Sequence, residues 1–290
     1  MMKKTVFALL SLIIIFAQAA AFAAPGDARA AVGNDLTAFQ KGVVYDYFGI
    51  QEGSVAELTV TIDDERAALS GVVPAKRMGS RSISSVYIKE LDAGAGIRVD
   101  THNITWVTAE MYMAALDTAG VDDASVIVAA PTGVSGTAAL TGIYKCYEDI
   151  TGTALSDLAK DAANEELVRT GELAELLGSE QALEFMAELK KALAESQNMS
   201  DDELRQIIRD TAVELEIELS DAQVEQLLGL TRKLAAMDLS PEELLDQAKR
   251  IQKSLEKLQQ TQEKANDFFQ AVGNAWNTVV DWLKGIFGIK

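Results

Sequence analysis

The 290-residue chain holds one cysteine, Cys146, and one histidine, His102. A lone cysteine closes no intramolecular disulfide. One histidine beside one cysteine makes no His/Cys zinc set, and no motif asks for another metal or a cofactor. Any imidazole-based triad has only His102 to draw on. Basic charge is scarce too: 26 Lys and Arg stand against 44 Asp and Glu, a formal net charge of -18. Phosphate backbones need a basic surface, so nucleic acid is excluded as a partner. Simple electrostatic attraction to anionic lipid is disfavoured as well. Acidity suits weak calcium binding, yet the D-x-[DN]-x-[DN]-G spacing of a calcium loop is absent. Proline is nearly missing from the second half, where Pro241 stands alone.

What is present begins with an address. Lys3 and Lys4 precede an apolar run from Val6 to Phe16, and Ala21-Phe22-Ala23 supplies small residues for signal peptidase. This reads as a secretory signal peptide over 1–23, with an apolar core too short for a membrane span. Losing its two lysines takes the net charge from -18 to about -20. Residues 24–34 are Ala/Gly-rich and read as a flexible lead-in.

Periodicity and punctuation predict an N-terminal α/β (α+β) domain over 34–152. Asn34 or Asp35 caps a helix to Phe48 that Gly49 ends. Four strands are expected, at 57–62, 85–90, 96–101 and 124–130. A short helix covers 64–69, and others cover 107–119 and 137–150. Asp92 to Gly96 reads as the turn of a hairpin joining the second and third strands. The order β-α-β-β-α-β suggests a ferredoxin-like split. Shifting the chain by 71 residues lays Leu36–Val73 on Val107–Tyr144 without a gap. Eleven of the 38 columns are then identical, against roughly three or four by chance. That points to an internal helix-strand-helix duplication.

From Ala154 the chain becomes charged and helical. An all-α region is expected over 155–265, with helices near 180–195, 201–216, 221–237 and 241–264. Three of these start on capping boxes, at Ser200, Ser220 and Ser240. The segment 266–290 is different again. Phe268, Phe269, Trp276, Leu283 and Phe287 share one half of the helical wheel, as in a helix that contacts a membrane interface or a partner. The alternative is that this face packs on the helical region.

Two places invite chemistry. The turn Pro131 to Thr137 follows a buried strand and feeds a helix. It approaches a nucleophile elbow around Ser135 but has Thr137 where glycine is needed, and its only candidate base is His102. It also lacks the lysine of a phosphate loop. What remains is a glycine-rich turn whose free N–H groups, with Thr132, Gly133, Ser135, Gly136 and Thr137, could hold an anion or a carbonyl oxygen. The structural alternative is that Ser135 caps the helix while the glycines allow close packing. The second place is the loop carrying Lys76, Arg77 and Arg81, either solvated or docking an anionic polymer. Cys146 reads as an inert buried thiol.

The segments GSRSISSVYI (79–88), NITWVTAEMYMAALDTAGVDDASV (103–126) and AAPTGVSGTAALTG (129–142) resemble the YpuA-like secreted family, which carries a domain of unknown function. MSDDELRQIIRD (199–210) and LSDAQVEQLLGL (219–230) extend the resemblance. It implies an extracytoplasmic location and supplies no catalytic residues. The functional expectation is a non-enzymatic, secreted binding protein that meets a cell-envelope component or membrane surface. The alternatives are an extracytoplasmic hydrolase using Ser135 and a structural or assembly protein.

Overall fold

The Ala/Gly-rich stretch ahead of residue 34 is a strand. The computed structural model describes residues 26–69, 71–73, 79–195, 199–237 and 239–287, with side chains in the last helix described to Lys264 and at Gln270. The expected signal peptide, Lys76 and Arg77 lie outside the described residues, as do the side chains of Phe268, Phe269, Trp276, Leu283 and Phe287. Strand β1 spans Ala28–Gly33. Alanine and glycine fit a pleated surface poorly, which is why pattern reading passes over it. The reason for small residues is a close neighbour. A Cβ added to Gly142 would stand 3.2 Å from the Ala31 Cβ, so the helix carrying Gly142 rests almost directly on this strand. Ala30 and Ala31 are both fully buried.

The rest of the sheet follows from capping and alternation. Helix α1 is Ala38–Phe48, opened by a Thr37–Gln40 capping box rather than by Asn34 or Asp35, and closed by Gly49 in the left-handed region at φ 68°. Strand β2 is Ala56–Val60 and α2 is Ile62–Leu69. Strand β3 is Ser85–Glu90, as expected; β4 is Arg98–Ile104, and β5 runs on from Ala124 to Val134. Helix α3 is Ala109–Ala119 and α4 is Ala139–Thr151.

The sheet has five strands in the order β2-β1-β3-β5-β4. β1 pairs parallel with β2, β4 pairs parallel with β5, and β3 runs antiparallel between β1 and β5. The expected hairpin is therefore absent: β3 and β4 are not partners, and the ferredoxin-like order is not the one formed. The glycines at 94 and 96 serve another purpose. Their N–H groups donate to the Asp123 carboxylate at 2.9 and 2.7 Å, pinning the loop to the start of β5 instead of turning a hairpin.

The 71-residue correspondence reappears in the first helix and its flanking strands but not in the second helix, since α2 shifted by 71 falls on the end of β5 and the turn before α4. Thr37 and Thr108 are both N-caps, and Gly49 and Gly120 are both left-handed C-caps, each donating its N–H to the carbonyl of Asp46 or Asp117. Strands β1 and β4 also correspond, although the sequence identities do not reach that far.

The two sheet faces differ. Val86, Ile88, Val126 and Val128 face α3 and α4, where Met111, Leu116, Leu140 and Ile143 complete one core. Each such side chain contributes roughly 1.5–3 kcal/mol through burial. Ala30, Val32 and Ala129 face the other way, where α1 alone supplies Val44, Tyr45 and Phe48.

Five helices follow: α5 Asp157–Leu177, α6 Ser179–Ala194, α7 Asp201–Glu214, α8 Asp221–Ala236 and α9 Pro241–Phe287. All three capping boxes form. The fold is thus α+β, with a five-stranded mixed sheet and nine helices among the described residues. The sheet core does not stop at residue 152, since Leu167, Leu183, Ala187, Ile251 and Leu255 belong to it. Helix α5 carries no clean apolar stripe because polar groups are buried along it, including Asn164, Glu166 and Thr170. A second core forms among α6, α7 and α8 around Phe185, Leu189, Ile208 and Leu228.

Two features lock the halves together. Lys190 of α6 is fully buried, with its Nζ 2.8 Å from Glu166 Oε1 and 2.8 Å from Thr118 Oγ1, which itself donates to Glu166 Oε2. Arg250 of α9 forms a two-pronged bridge to Asp117 at 2.6 and 2.7 Å. Bidentate pairs of this kind fix orientation as well as adding energy.

Candidate functional site

The loop that includes Arg81 is strapped across the end of β1. Asp35 N donates to Ser82 O at 3.0 Å, Ser82 N donates to the Asp35 carboxylate at 2.8 Å, and Gly33 N donates to Ser85 Oγ at 3.2 Å. The approach is tight enough that a Cβ on Gly33 would lie 2.4 Å from Ser82 O. Glycine is required there for space. Arg81 completes the strap by donating to the Asp35 carbonyl at 2.7 Å.

Across from this loop, β5 runs four residues further than expected. Thr132 and Gly133 are therefore strand residues on an exposed extension. The turn proper is Ser135-Gly136-Thr137. Thr105 N and Val107 N donate to the carbonyls of Val134 and Ser135, and Tyr112 Oη donates to Gly136 O at 2.5 Å. Gly136 sits at φ 93°, and a Cβ there would meet Tyr112 Oη and Ile104 Cγ2, both at 2.5 Å. Only glycine tolerates that backbone and that space together. Ser135 does not cap α4. The N-cap position is Ala138, which has no side-chain cap bond.

Between loop and turn lies a cleft of about 380 Å³, lined by Glu65, Gly79 to Arg81, Ile83, Ser84 and Val134 to Ala138. The structure thus brings Arg81 together with Ser135, Gly136 and Thr137. Thr132 and Gly133 are not among the lining residues. His102 and Ser135 are not brought together either. The imidazole stacks on Tyr47 at 4.6 Å between centroids and 12° between planes, on the sheet face that carries α1. Ser135 Oγ lies 3.4 Å from Thr137 Oγ1, and no imidazole lines the cleft.

The residue that pattern reading missed is Glu65. In the sequence it looks like a carboxylate favoured by a helix N-terminus. In the fold it is 2% exposed and accepts a hydrogen bond from the fully buried Ser82 hydroxyl at 2.5 Å. Burial raises its pKa to about 7, with the Asp35 and Asp64 charges adding and the Ser82 bond opposing. Its neighbour Asp64 goes the other way, to about 2, because Lys145 pairs with it and Thr61 N donates to it. A carboxyl group poised near neutrality in a cleft is what binding and catalytic sites share. The sequence signal would have been the serine-rich GSRSISS loop. Its contact with Glu65, however, spans 17 residues and follows no local pattern.

Cys146 is buried and its thiol is pushed up to about 12 by desolvation, so it is inert at neutral pH. Among the described residues no group of three or more His, Cys, Asp or Glu is placed to hold a metal. No described helix is long and apolar enough to cross a membrane.

A family model described as "Protein of unknown function (DUF1002)" matches residues 32–251. The chain belongs to this family. It is also similar to the "Uncharacterized protein YpuA" of Bacillus subtilis (strain 168), with 37% identity over 271 residues that cover 90% of the chain and 91% of that relative. The family match begins inside β1 and ends inside α9, so it takes in all of the sheet beyond Ala31 and both walls of the cleft. No solved structure matches.

Proposed function

We propose that the chain is a secreted, non-enzymatic binding protein whose ligand seats in the cleft between the 79–84 loop and the 134–138 turn. The carrying observation is convergence. Arg81 and the Ser135–Thr137 turn are 54 residues or more apart in sequence, yet they line one cavity together with Ser80 and Ser84. A guanidinium facing hydroxyls and the uncapped start of α4 suits an oxyanion such as a carboxylate, sulfate or phosphate. Among the described residues no aromatic side chain lines the cleft, which supports an oxyanion over a stacked sugar ring or base.

An NMR titration of the full mature chain with sodium sulfate tests this reading. Shifts should concentrate in residues 79–84 and 134–138 and vanish in Arg81→Ala. Shifts centred elsewhere, or none, would end it.

The signal-peptide features support an extracytoplasmic location. Sequencing the N-terminus of protein recovered from the culture medium should find it just after Ala23. The expected segment 266–290 supports contact with a cell-envelope component or membrane surface. Vesicle flotation should retain the full chain and release a chain ending at Ala265; equal behaviour of the two removes that part. The matching caps at 37/108 and 49/120 support the inference that the two helix-containing units descend from an internal duplication.

A further inference from the structure

Among the described residues Glu65, at the wall of the cleft, has no ion-pair partner, and the Arg66 charge is the smallest influence on it. Asp64 spends its charge on Lys145 at 2.8 Å. Arg66 reaches toward Asp63 at 3.5 Å on the exposed side of α2. Arg81 donates to the Asp35 carbonyl rather than to a carboxylate. From the helix behind, α5, the groups meeting α2 and its exit are Val168 and Asn164, the latter bonded to Ala68 O. Among the described residues, therefore, no ion pair is made to Glu65, and the nearest like charges, on Asp35 and Asp64, oppose its ionisation. An anion entering the same cavity adds one more negative charge. Two such charges in one cleft, one of them on a buried carboxyl, repel, and the less costly state is the one in which that carboxyl is neutral.

We propose that the cleft takes up its oxyanion together with one proton, held on Glu65. This rests on the reading of the cleft as an oxyanion site and adds to it a linked ionisation. Protonated Glu65 presents an O–H that can donate to the ligand. It thereby changes from a repelling acceptor into a charge-assisted donor, among the stronger hydrogen bonds available to a protein. Arg81 supplies the permanent positive charge, and Glu65 makes occupancy pH-dependent. The sign is fixed. Because the free group is already half neutral near pH 7, affinity is at its plateau well below that and falls as pH rises through it. The fall approaches about tenfold per pH unit above the free-state value.

Sulfate is the probe, since it keeps its charge over the range used. Its dissociation constant is measured by NMR on the full mature chain between about pH 5.5 and pH 8.5, for the native chain, Glu65→Gln and Arg81→Ala. The native chain should weaken with rising pH. Glu65→Gln, a neutral isostere, should hold the low-pH affinity throughout, while Arg81→Ala should lose binding at every pH. Calorimetry in buffers of different ionisation enthalpy should show proton uptake near pH 8 that is absent from Glu65→Gln. Sulfate that binds through Arg81 with no pH dependence overturns the proton coupling and leaves the cleft reading standing. A pH dependence that survives in Glu65→Gln likewise overturns the assignment to Glu65. Absence of sulfate binding at every pH overturns both.

Discussion

The two units related by the 71-residue shift start from the same local instructions and end in different surroundings. In the first, α1 lies alone on its sheet face, with Phe39 81% exposed. In the second, α3 is enclosed between the sheet and the later helices, and eight of its eleven residues are buried. Asp46 and Asp117 occupy the same place, two residues before the end of the helix. Asp46 faces solvent, whereas Asp117 anchors Arg250 of α9. Among the shared residues, Thr37 and Thr108 start the helix and Gly49 and Gly120 stop it. What each helix does depends on what packs over it.

The same comparison explains the cleft. Glu65 and Gly136 are equivalent positions, 71 residues apart, and both line it. One unit offers a side chain there. The other offers a glycine backbone bend packed against Ile104 and Tyr112.

The largest test concerns what encloses α3. Lys190→Met should cost about 3–5 kcal/mol in urea unfolding, because it strands Glu166 as a buried charge without its partner. A loss below about 1 kcal/mol would show that water already reaches that network. Next is Glu65. Its folded pKa of about 7 exceeds its ordinary 4.5, so the native state holds the proton more tightly. The stabilisation is complete below pH 4.5 and disappears as pH rises through about 7. Native stability should fall by about 3 kcal/mol across that window, and Glu65→Gln should be flat. The equivalent aspartates come third. Asp117→Ala should cost about 1–2 kcal/mol, discounted because the Arg250 side chain is 53% exposed. Asp46→Ala should change stability by less than about 0.5 kcal/mol. Equal losses would mean that the Arg250 bridge contributes nothing beyond the cap. The smallest contrast is between Gly49→Ala and Gly120→Ala. Both residues sit in the left-handed region with open space around the missing Cβ. Each should cost about 1 kcal/mol, and the two should match.

Much of this architecture is legible in sequence wherever the cause is local. The capping boxes at Ser200, Ser220 and Ser240, the closing glycines and the alternation of Ser85–Glu90 all declare themselves within a few residues. β1 does not, because its alanines answer to Gly142 on a helix more than a hundred residues later. The hairpin expectation failed for a related reason. Asp92 to Gly96 has turn chemistry, but the N–H groups it frees are claimed by Asp123. Half of the candidate site could be read as an unusual turn and a basic loop. Glu65 could not, since its significance lies in burial beneath Ser82, and burial is a property of the folded chain.

Helix α9 carries one more implication. Its base is fixed by Arg250, Ile251 and Leu255, the last buried side chain among those described along it, and further on Gln262 donates to Glu180 of α6 at 3.2 Å. From Gln262 the helix continues to Phe287, about 38 Å at ~1.5 Å per residue. Such a segment has a reach and a heading that can be changed separately. Deleting seven residues after Gln262 shortens the reach by about 10 Å and turns the tip by only ~20°. Deleting five shortens it less but swings the tip through about 140°. Whatever the far end meets, these two deletions distinguish a contact that depends on distance from one that depends on aim.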